Sequence, residues 1–291
     1  MKMQISDVEK VLGRPIYHNL CDFFPQSTLN KRVLITGANG SIGTDLIRRL
    51  SELAIDFLST DIEGKHEYMD VTDFQQVLGV VNKYQPDFII NIAGAKHAPE
   101  GEHETWKTLS INTIGTKNLI DACGPRTKLI LTSTCKSCNP EIVYGASKLI
   151  AERMTLNAGG SVARFFNVVE TSGNVFEIWD KVNVDEPIHV AKECGRHFIS
   201  VKEATGLIVF LMENSTRSGK YIVNSPELRR MDVVAEALYP EREKVFINRR
   251  RGDRLNERFK GTAEEEMLFL NNSVIKLTSN HEKDYQEHGA F

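Results

Sequence analysis

One loop constrains the fold of this chain more than any other feature. Residues 32–36 read Arg-Val-Leu-Ile-Thr, a short apolar run with the character of a strand buried on both faces. Gly37, Ala38, Asn39, Gly40, Ser41, Ile42 and Gly43 follow directly, and apolar residues then recur at helical spacing over 41–53. Strand, glycine-rich turn and helix in that order leave the first helical N–H groups facing outward, where they suit a phosphate. A Gly-rich loop alone is a weak signal. Here a second strand over 56–60 ends in Asp61, at the distance a dinucleotide site requires. Asp61 can accept from an adenosine ribose hydroxyl and would repel a 2′-phosphate. Neither Thr60 nor Ile62 brings positive charge, so NAD is expected over NADP.

Strand and helix patterns keep alternating downstream. Residues 73–83 read as a helix with Asp73 placed to cap it, 87–91 as a strand, 104–122 as one long helix, 128–132 as a strand, 142–156 as a helix and 161–165 as a strand. The expected fold class is α/β, a doubly wound parallel sheet of the Rossmann type with a smaller C-terminal α/β substrate-binding region. After Phe166 the pattern loosens. A helix returns over 198–212, a last sheet strand over 220–223, and residues 226–291 read as a smaller charged unit with a helix near 232–238. The division this suggests is an N-terminal arm (1–30), a cofactor domain (31–165 and 199–225) and a substrate-binding region (166–198 and 226–291). Within the arm a short helix over 6–12 stops at Gly13 and Pro15.

A second motif adds chemistry to this frame. Tyr144 and Lys148 stand four apart in the helix over 142–156 and share one face. A tyrosine beside an ammonium, near a nicotinamide, moves a proton and a hydride together, and a nearby cation favours the phenolate. The two motifs together indicate redox chemistry on an alcohol or ketone. Composition closes off other classes. The net charge of −3 argues against nucleic acid or a polybasic membrane contact. No apolar run is long enough to insert into a membrane, and residues 1–10 lack a signal-peptide core. The five cysteines are odd in number and scattered, which fits reduced thiols in a cytoplasmic protein. Cys135 and Cys138 form a C-x-x-C, a pattern open to redox or metal chemistry, but no second Cys/His pair completes a four-ligand set and no metal is expected.

With these residues in place, the chain resembles extended short-chain dehydrogenases/reductases, and among them the nucleotide-sugar 4,6-dehydratases of capsule, O-antigen and flagellin-glycan synthesis, the CapD-like group. Asp70-Val71 is similar to the adenine contact. Asn91-Ile-Ala93-Gly94-Ala95-Lys96-His97 resembles the segment lining the cofactor after the fourth strand, and Asn112 the mid-helix asparagine. Ser133-Thr134-Cys135-Lys136-Ser-Cys-Asn139-Pro140 resembles a Ser-Thr-Asp-Lys-Ala-x-Asn-Pro run. Arg164-Phe-Phe-Asn167-Val, Ser172-Gly-Asn174-Val175, Gly195-Arg196-His197-Phe198 and Arg251-Gly-Asp-Arg254-Leu-Asn-Glu257 resemble elements around the sugar nucleotide. Residues 8–15 resemble the lead-in to the catalytic domain of large membrane-anchored members, whose transmembrane part this sequence lacks, so a soluble form is expected.

The resemblance implies a UDP-sugar substrate, usually UDP-N-acetylglucosamine. Tyr144 with Lys148 would take the C4 hydroxyl proton as hydride passes to NAD, and Thr134 would hydrogen-bond at C4. Lys136 would remove H5 if its neighbours lower its pKa. Residue 135 would assist loss of the C6 hydroxyl. Lys96, His97, Asn167, Asn174, Val175, Arg196, Arg251, Arg254 and Glu257 would line the substrate, with an arginine clamping the diphosphate. Three positions depart from the pattern: Cys135 for an aspartic acid, Asn174 for a serine and His197 for a phenylalanine. A C4 or C5 epimerase, and a non-catalytic NAD-bound scaffold or sensor, are the alternatives. A homo-oligomer is expected. Trp106 and Trp179 read as packing residues, and His97, His103 and His197 as pocket wall or surface.

Overall fold

The computed structural model describes residues 3–278, apart from 217, 226, 250–253 and 263–265. Its elements run, in chain order, α1 (Ile5–Leu12), α2 (His18–Cys21), β1 (Arg32–Thr36), α3 (Ser41–Glu52), β2 (Asp56–Asp61), β3 (Glu67–Tyr68), α4 (Phe74–Tyr84), β4 (Phe88–Asn91), α5 (Ala98–His103), α6 (Thr105–Leu109), a π turn (Ser110–Ile114) and α7 (Gly115–Ala122). They continue with β5 (Lys128–Thr134), a 3-10 turn (Cys135–Ser137), α8 (Val143–Asn157), β6 (Ser161–Phe165), β7 (Asn167–Val168), α9 (Val175–Lys181), β8 (Ile188–Ala191), β9 (Gly195–Arg196) and β10 (Phe198–Ile199). The last are α10 (Val201–Glu213), β11 (Gly219–Val223), β12 (Arg229–Arg230), α11 (Met231–Leu238), β13 (Lys244–Ile247), β14 (Glu266–Phe269) and β15 (Val274–Thr278).

The main sheet has the order β14-β15-β11-β6-β5-β4-β1-β2-β3. From β3 to β11 every neighbouring pair is parallel, and β15 and β14 add an antiparallel hairpin to the edge. Side chains alternate across the sheet with period two. Val33, Ile35, Ile90, Ile130 and Tyr221 pack under α3 and α10, while Leu34, Ile89 and Leu129 pack under α4 and α7. Both faces are therefore covered, as a parallel sheet requires. The order reverses between β1 and β4, which opens a crevice at the carboxyl ends of these strands.

Three expectations need correction. The 104–122 helix is interrupted by the π turn at 110–114. The helix expected from 198 starts at Val201, because Ser200 and Glu203 form a capping box and Phe198–Ile199 pairs with Asn167–Val168 instead. Within the charged unit at 226–291, residues 266–269 and 274–278 join the main sheet rather than standing apart. The N-terminal arm is packed in: Val8, Val11, Leu12 and Ile16 share a separate core with Phe176, Trp179, Ile188, Met231 and Val234, while Leu20 enters the main core.

Candidate active site

The glycine loop lies where the crevice opens. Gly37 has φ +66, and a Cβ there would stand 2.6 Å from the Ala93 backbone nitrogen; one at Gly43 would stand 2.5 Å from the Gly37 carbonyl oxygen. Only glycine lets the loop and the strand after it approach this closely. Gly40 is the N-cap of α3 and offers no side-chain acceptor, so the first N–H groups of the helix, from Ser41, Ile42 and Gly43, stay available to an anion. Ile42 also packs against the main core. Asp61 ends β2, where its carboxylate accepts from Asn39 N at 2.9 Å and from Glu63 N at 3.2 Å and so holds the loop. An uncapped helix start at the switch point, beside an acidic strand end, fits a dinucleotide.

The other residues expected at the cofactor are brought round the same crevice. Ala93 N donates to Thr36 Oγ1, and Gly94 is exposed at the mouth. Asn112 sits inside the π turn, fully buried, and clamps Ala95 by accepting from its N–H at 2.9 Å and donating to its carbonyl at 3.0 Å. It also donates to Ser147 Oγ, which ties the loop to α8. Asp70 spends one carboxylate oxygen on Thr72, and Val71 is buried with its carbonyl accepting from Asn118. These two shape the wall rather than extend from it.

Tyr144 and Lys148 stand in the first turns of α8. Glu102 accepts from Val143 N and fixes the start of that helix. The buried Lys148 Nζ donates to the Thr132 carbonyl at 3.2 Å, and desolvation pushes its pKa down to about 8. Tyr144 differs from expectation: its pKa is raised, because burial outweighs the pull of Lys136 and a hydrogen bond from Thr134. The cation acting on this phenol is Lys136 rather than Lys148. The Thr134 hydroxyl also accepts from Lys136 N, which shapes the 3-10 turn.

Cys135 is 2% exposed. Burial first, then Glu257, push its thiol up to about 12, against the pull of Lys136, so the thiol stays protonated. Lys136 was expected to serve as the base if its neighbours lowered its pKa, and that condition is not met. Burial does act against its charge, but Cys135, Glu257 and Tyr144 outweigh burial and the pKa is raised. Its Nζ lies 3.6 Å from Glu257 Oε1. Cys135, Lys136, Glu141, Ile142, Arg196, Arg254 and Glu257 line one cleft. Behind it Arg164 and Glu152 form a buried pair at 2.5 Å, and Ser137 Oγ donates to Glu152, which anchors the turn from below.

The residues expected at the sugar nucleotide divide into two groups. Arg196 and Glu257 line the cleft with Lys136. Glu257 Oε2 accepts from Asn167 Nδ2 at 2.7 Å and from His197 N at 3.2 Å, so Asn167 serves this carboxylate. Arg254 also lines the cleft, though its guanidinium is held by the Asn139 carbonyl and by Glu141. Arg250 and Arg251 lie outside the described residues. Away from the cleft, Asn174 caps α9 through Glu177 N and also donates to the Val169 carbonyl, which leaves its side chain occupied, and Val175 packs against the second core. Lys96 donates to the Ser172 carbonyl at 3.0 Å, and Ser172 N donates to Ser41 Oγ at 3.0 Å, so this loop straps across the crevice. His97 is exposed beside Gly173, and His197 is buried against Phe166 and Phe259. Trp179 is buried as expected, but Trp106 is 73% exposed and packs against little. Sequence reasoning missed Glu102 and Glu152; Glu152 lies inside the motif helix one turn beyond Lys148, which was the available signal, whereas Glu102 stands 41 residues before Val143 and gave none. Among the described residues no cluster of His, Cys, Asp and Glu could hold a metal, and no helix is long and apolar enough to cross a membrane.

Comparison with known proteins bears on the family and the fold. The chain is 32% identical over 241 residues to the probable polysaccharide biosynthesis protein EpsC of Bacillus subtilis, covering 71% of this chain and 40% of that protein. The chain thus spans about two-fifths of that relative's length. It is 28% identical over 258 residues to a UDP-N-acetylglucosamine 4,6-dehydratase (inverting) of Campylobacter jejuni, covering 78% of this chain and 76% of that one. The crystal structure of Pen from Bacillus thuringiensis shares the fold with a TM-score of 0.75 at 20% identity, over 86% of this chain and 90% of that one. The family model described as polysaccharide biosynthesis protein matches residues 58–276, and the chain belongs to that family, built on a Rossmann fold.

Proposed function

We propose that this protein modifies a nucleotide sugar for polysaccharide synthesis, by transient C4 oxidation of a UDP-hexosamine followed by 4,6-dehydration. UDP-N-acetylglucosamine is the substrate we favour, and NAD the cofactor. The observation that carries the reading is the gathering of Tyr144, Thr134, Cys135 and Lys136 at the carboxyl end of β5, beside the crevice bearing the uncapped start of α3. The name of the Campylobacter jejuni relative supports it.

Ser41, Ile42, Gly43, Asp61 and the Ala93–Ala95 wall would hold the dinucleotide, whose chemistry there is reversible hydride acceptance. Tyr144 takes the proton of the C4 hydroxyl, with Thr134 as its hydrogen-bonding partner. The C4 ketone then acidifies H5, which neutral Lys136 removes. As the C5=C6 bond forms the C6–O bond breaks, and the hydroxyl departs as water once protonated. C6 then gains the hydride that C4 gave up, and C5 regains a proton. The raised pKa of Lys136 favours its charged form, so it must shed its proton before the C5 step. A second reading, a C5 epimerase, is favoured by one feature: a buried thiol stands where the departing hydroxyl needs an acid.

Incubation with UDP-N-acetylglucosamine and NAD⁺, followed by NMR of the sugar, tests the proposal. A 4-keto-6-deoxy product is expected, with Tyr144→Phe slower by about 10²–10⁴-fold. A stereoisomer alone supports the epimerase, and an unchanged sugar counts against both.

A further inference from the structure

Glu257 is held by more protein groups than a substrate contact would need. One oxygen, Oε2, accepts from Asn167 Nδ2 at 2.7 Å and from the His197 backbone N–H at 3.2 Å. The other, Oε1, lies 3.6 Å from both Lys136 Nζ and Arg196 Nε. The side chain is 5% exposed, whereas that of Lys136 is 29% exposed in the cleft. The carboxylate is thus fixed from behind by two donors and turned toward the group that handles the C5 proton. Four neighbours surround Lys136: Glu257 from the segment after 254, Arg196 from β9, Tyr144 from α8 and Cys135 from its own turn. Arg254 and Glu141 line the same cleft further out.

Resting on the reading of Lys136 as the C5 base, we propose that Glu257 is a positioning residue that holds Lys136 and governs when it carries its proton. Two demands meet at this ammonium. Charged Lys136 favours the Tyr144 phenolate needed for C4 oxidation, whereas only neutral Lys136 can accept H5. Glu257 keeps the charge in place for the first demand and must be offset before the second. The diphosphate and sugar of a nucleotide sugar entering the cleft would compete for Arg196, which changes the balance around Glu257. One carboxylate therefore orders two proton transfers. Burial of Lys136 alone would act the other way, toward a neutral amine from the outset.

The test is trace acetylation of the full chain with acetic anhydride below the lysine midpoint, quantified by peptide mass spectrometry. Exposed Lys65 serves as the internal reference. Only the neutral amine reacts, so labelling follows the neutral fraction. In Glu257→Gln, labelling of Lys136 relative to Lys65 should rise about 10-fold for each pH unit by which the pKa falls, with a fall of about one unit expected. In Arg196→Met it should drop, because a competing cation is removed. Glu257→Asp, which keeps the charge, should stay near wild type. The rising limb of C5 hydrogen–deuterium exchange in UDP-N-acetylglucosamine should move to lower pH in Glu257→Gln, whereas a merely structural loss would lower the rate at every pH. Unchanged labelling in Glu257→Gln, or shifts of the same sign in both that variant and Arg196→Met, overturns the proposal. Shifted labelling without any sugar turnover in the wild type counts against the proposed function alone.

Discussion

On the proposed reading, Cys135 is the residue on which the elimination step turns. A thiol buried to 2% exposure and raised to about 12 keeps its proton at neutral pH, yet sulfur is a weak hydrogen-bond donor. An aspartic acid at 135 would meet the same burial and the same Glu257, both of which favour its protonated form, with Lys136 opposing them. It would hold a proton and donate it better. In D₂O the wild-type protein should therefore place deuterium at C5 of the recovered sugar faster than 4-keto-6-deoxy product appears. Cys135→Asp should raise product formation, by up to ~10²-fold. Brisk elimination by the wild type with no gain in the variant would show the thiol to be a competent acid. The departure at 135 was legible in the sequence, because the run around it is distinctive. The charge on Lys136 was not. Besides the adjacent Cys135, it draws on Glu257 and Tyr144, and Glu257 lies far downstream and reaches the site only through folding. The raised pKa of Tyr144 was missed for a related reason: burial is a property of the fold, and no spacing of Tyr and Lys reports it.

Among the elements, the helical stretch over 105–122 shows where reading by period fails. Its apolar spacing announces one helix, and the axis does continue, but the backbone opens into a π turn at Ser110–Ile114. Such turns are frequent at functional sites, and here the turn carries Asn112. Its amide makes one hydrogen bond from Ala95 N, one to Ala95 O and one to Ser147, all within buried or half-buried surroundings. At roughly 1 kcal/mol each, Asn112→Ala should cost about 2–3 kcal/mol of stability. It should also weaken NADH binding, since the loop at 93–95 loses its clamp to α8. Thermal melts and fluorescence titration check the two effects separately. An unchanged affinity in a destabilised variant would make Asn112 a packing residue only. Strand existence was otherwise legible for β1, β2, β4, β5 and β6, which are bounded by turns, but the exposed two-residue β3 and the short α5 were not read. The hairpin of β14 and β15 was not, because Glu266–Phe269 and Val274–Thr278 are short, and β14 leaves Leu268 and Phe269 exposed.

At the scale of the whole molecule, the arm bridges the two hydrophobic cores, with Val8, Val11, Leu12 and Ile16 in one and Leu20 in the other. Arg14 Nη1 meets Glu203 Oε1 at 2.6 Å, and Glu203 also accepts from Tyr17 N and from its own cap, Ser200 N. The Glu203 side chain is fully buried. Removing the guanidinium leaves a buried carboxylate with backbone donors alone, so Arg14→Met should destabilise the fold by about 3 kcal/mol. Denaturant titration measures this, and limited proteolysis should cut the variant first within residues 1–30. Equal midpoints would mean that the backbone donors suffice. Composition and caps made the short helix of the arm legible, but not its docking, since its partners come from α10 and α11, about two hundred residues away. That separation has a consequence in time. The arm leaves the ribosome well before its partners do, and it cannot settle until the chain has been synthesised past α11. Throughout that interval Val8, Val11, Leu12 and Ile16 lack their native cover and stay open to misassembly.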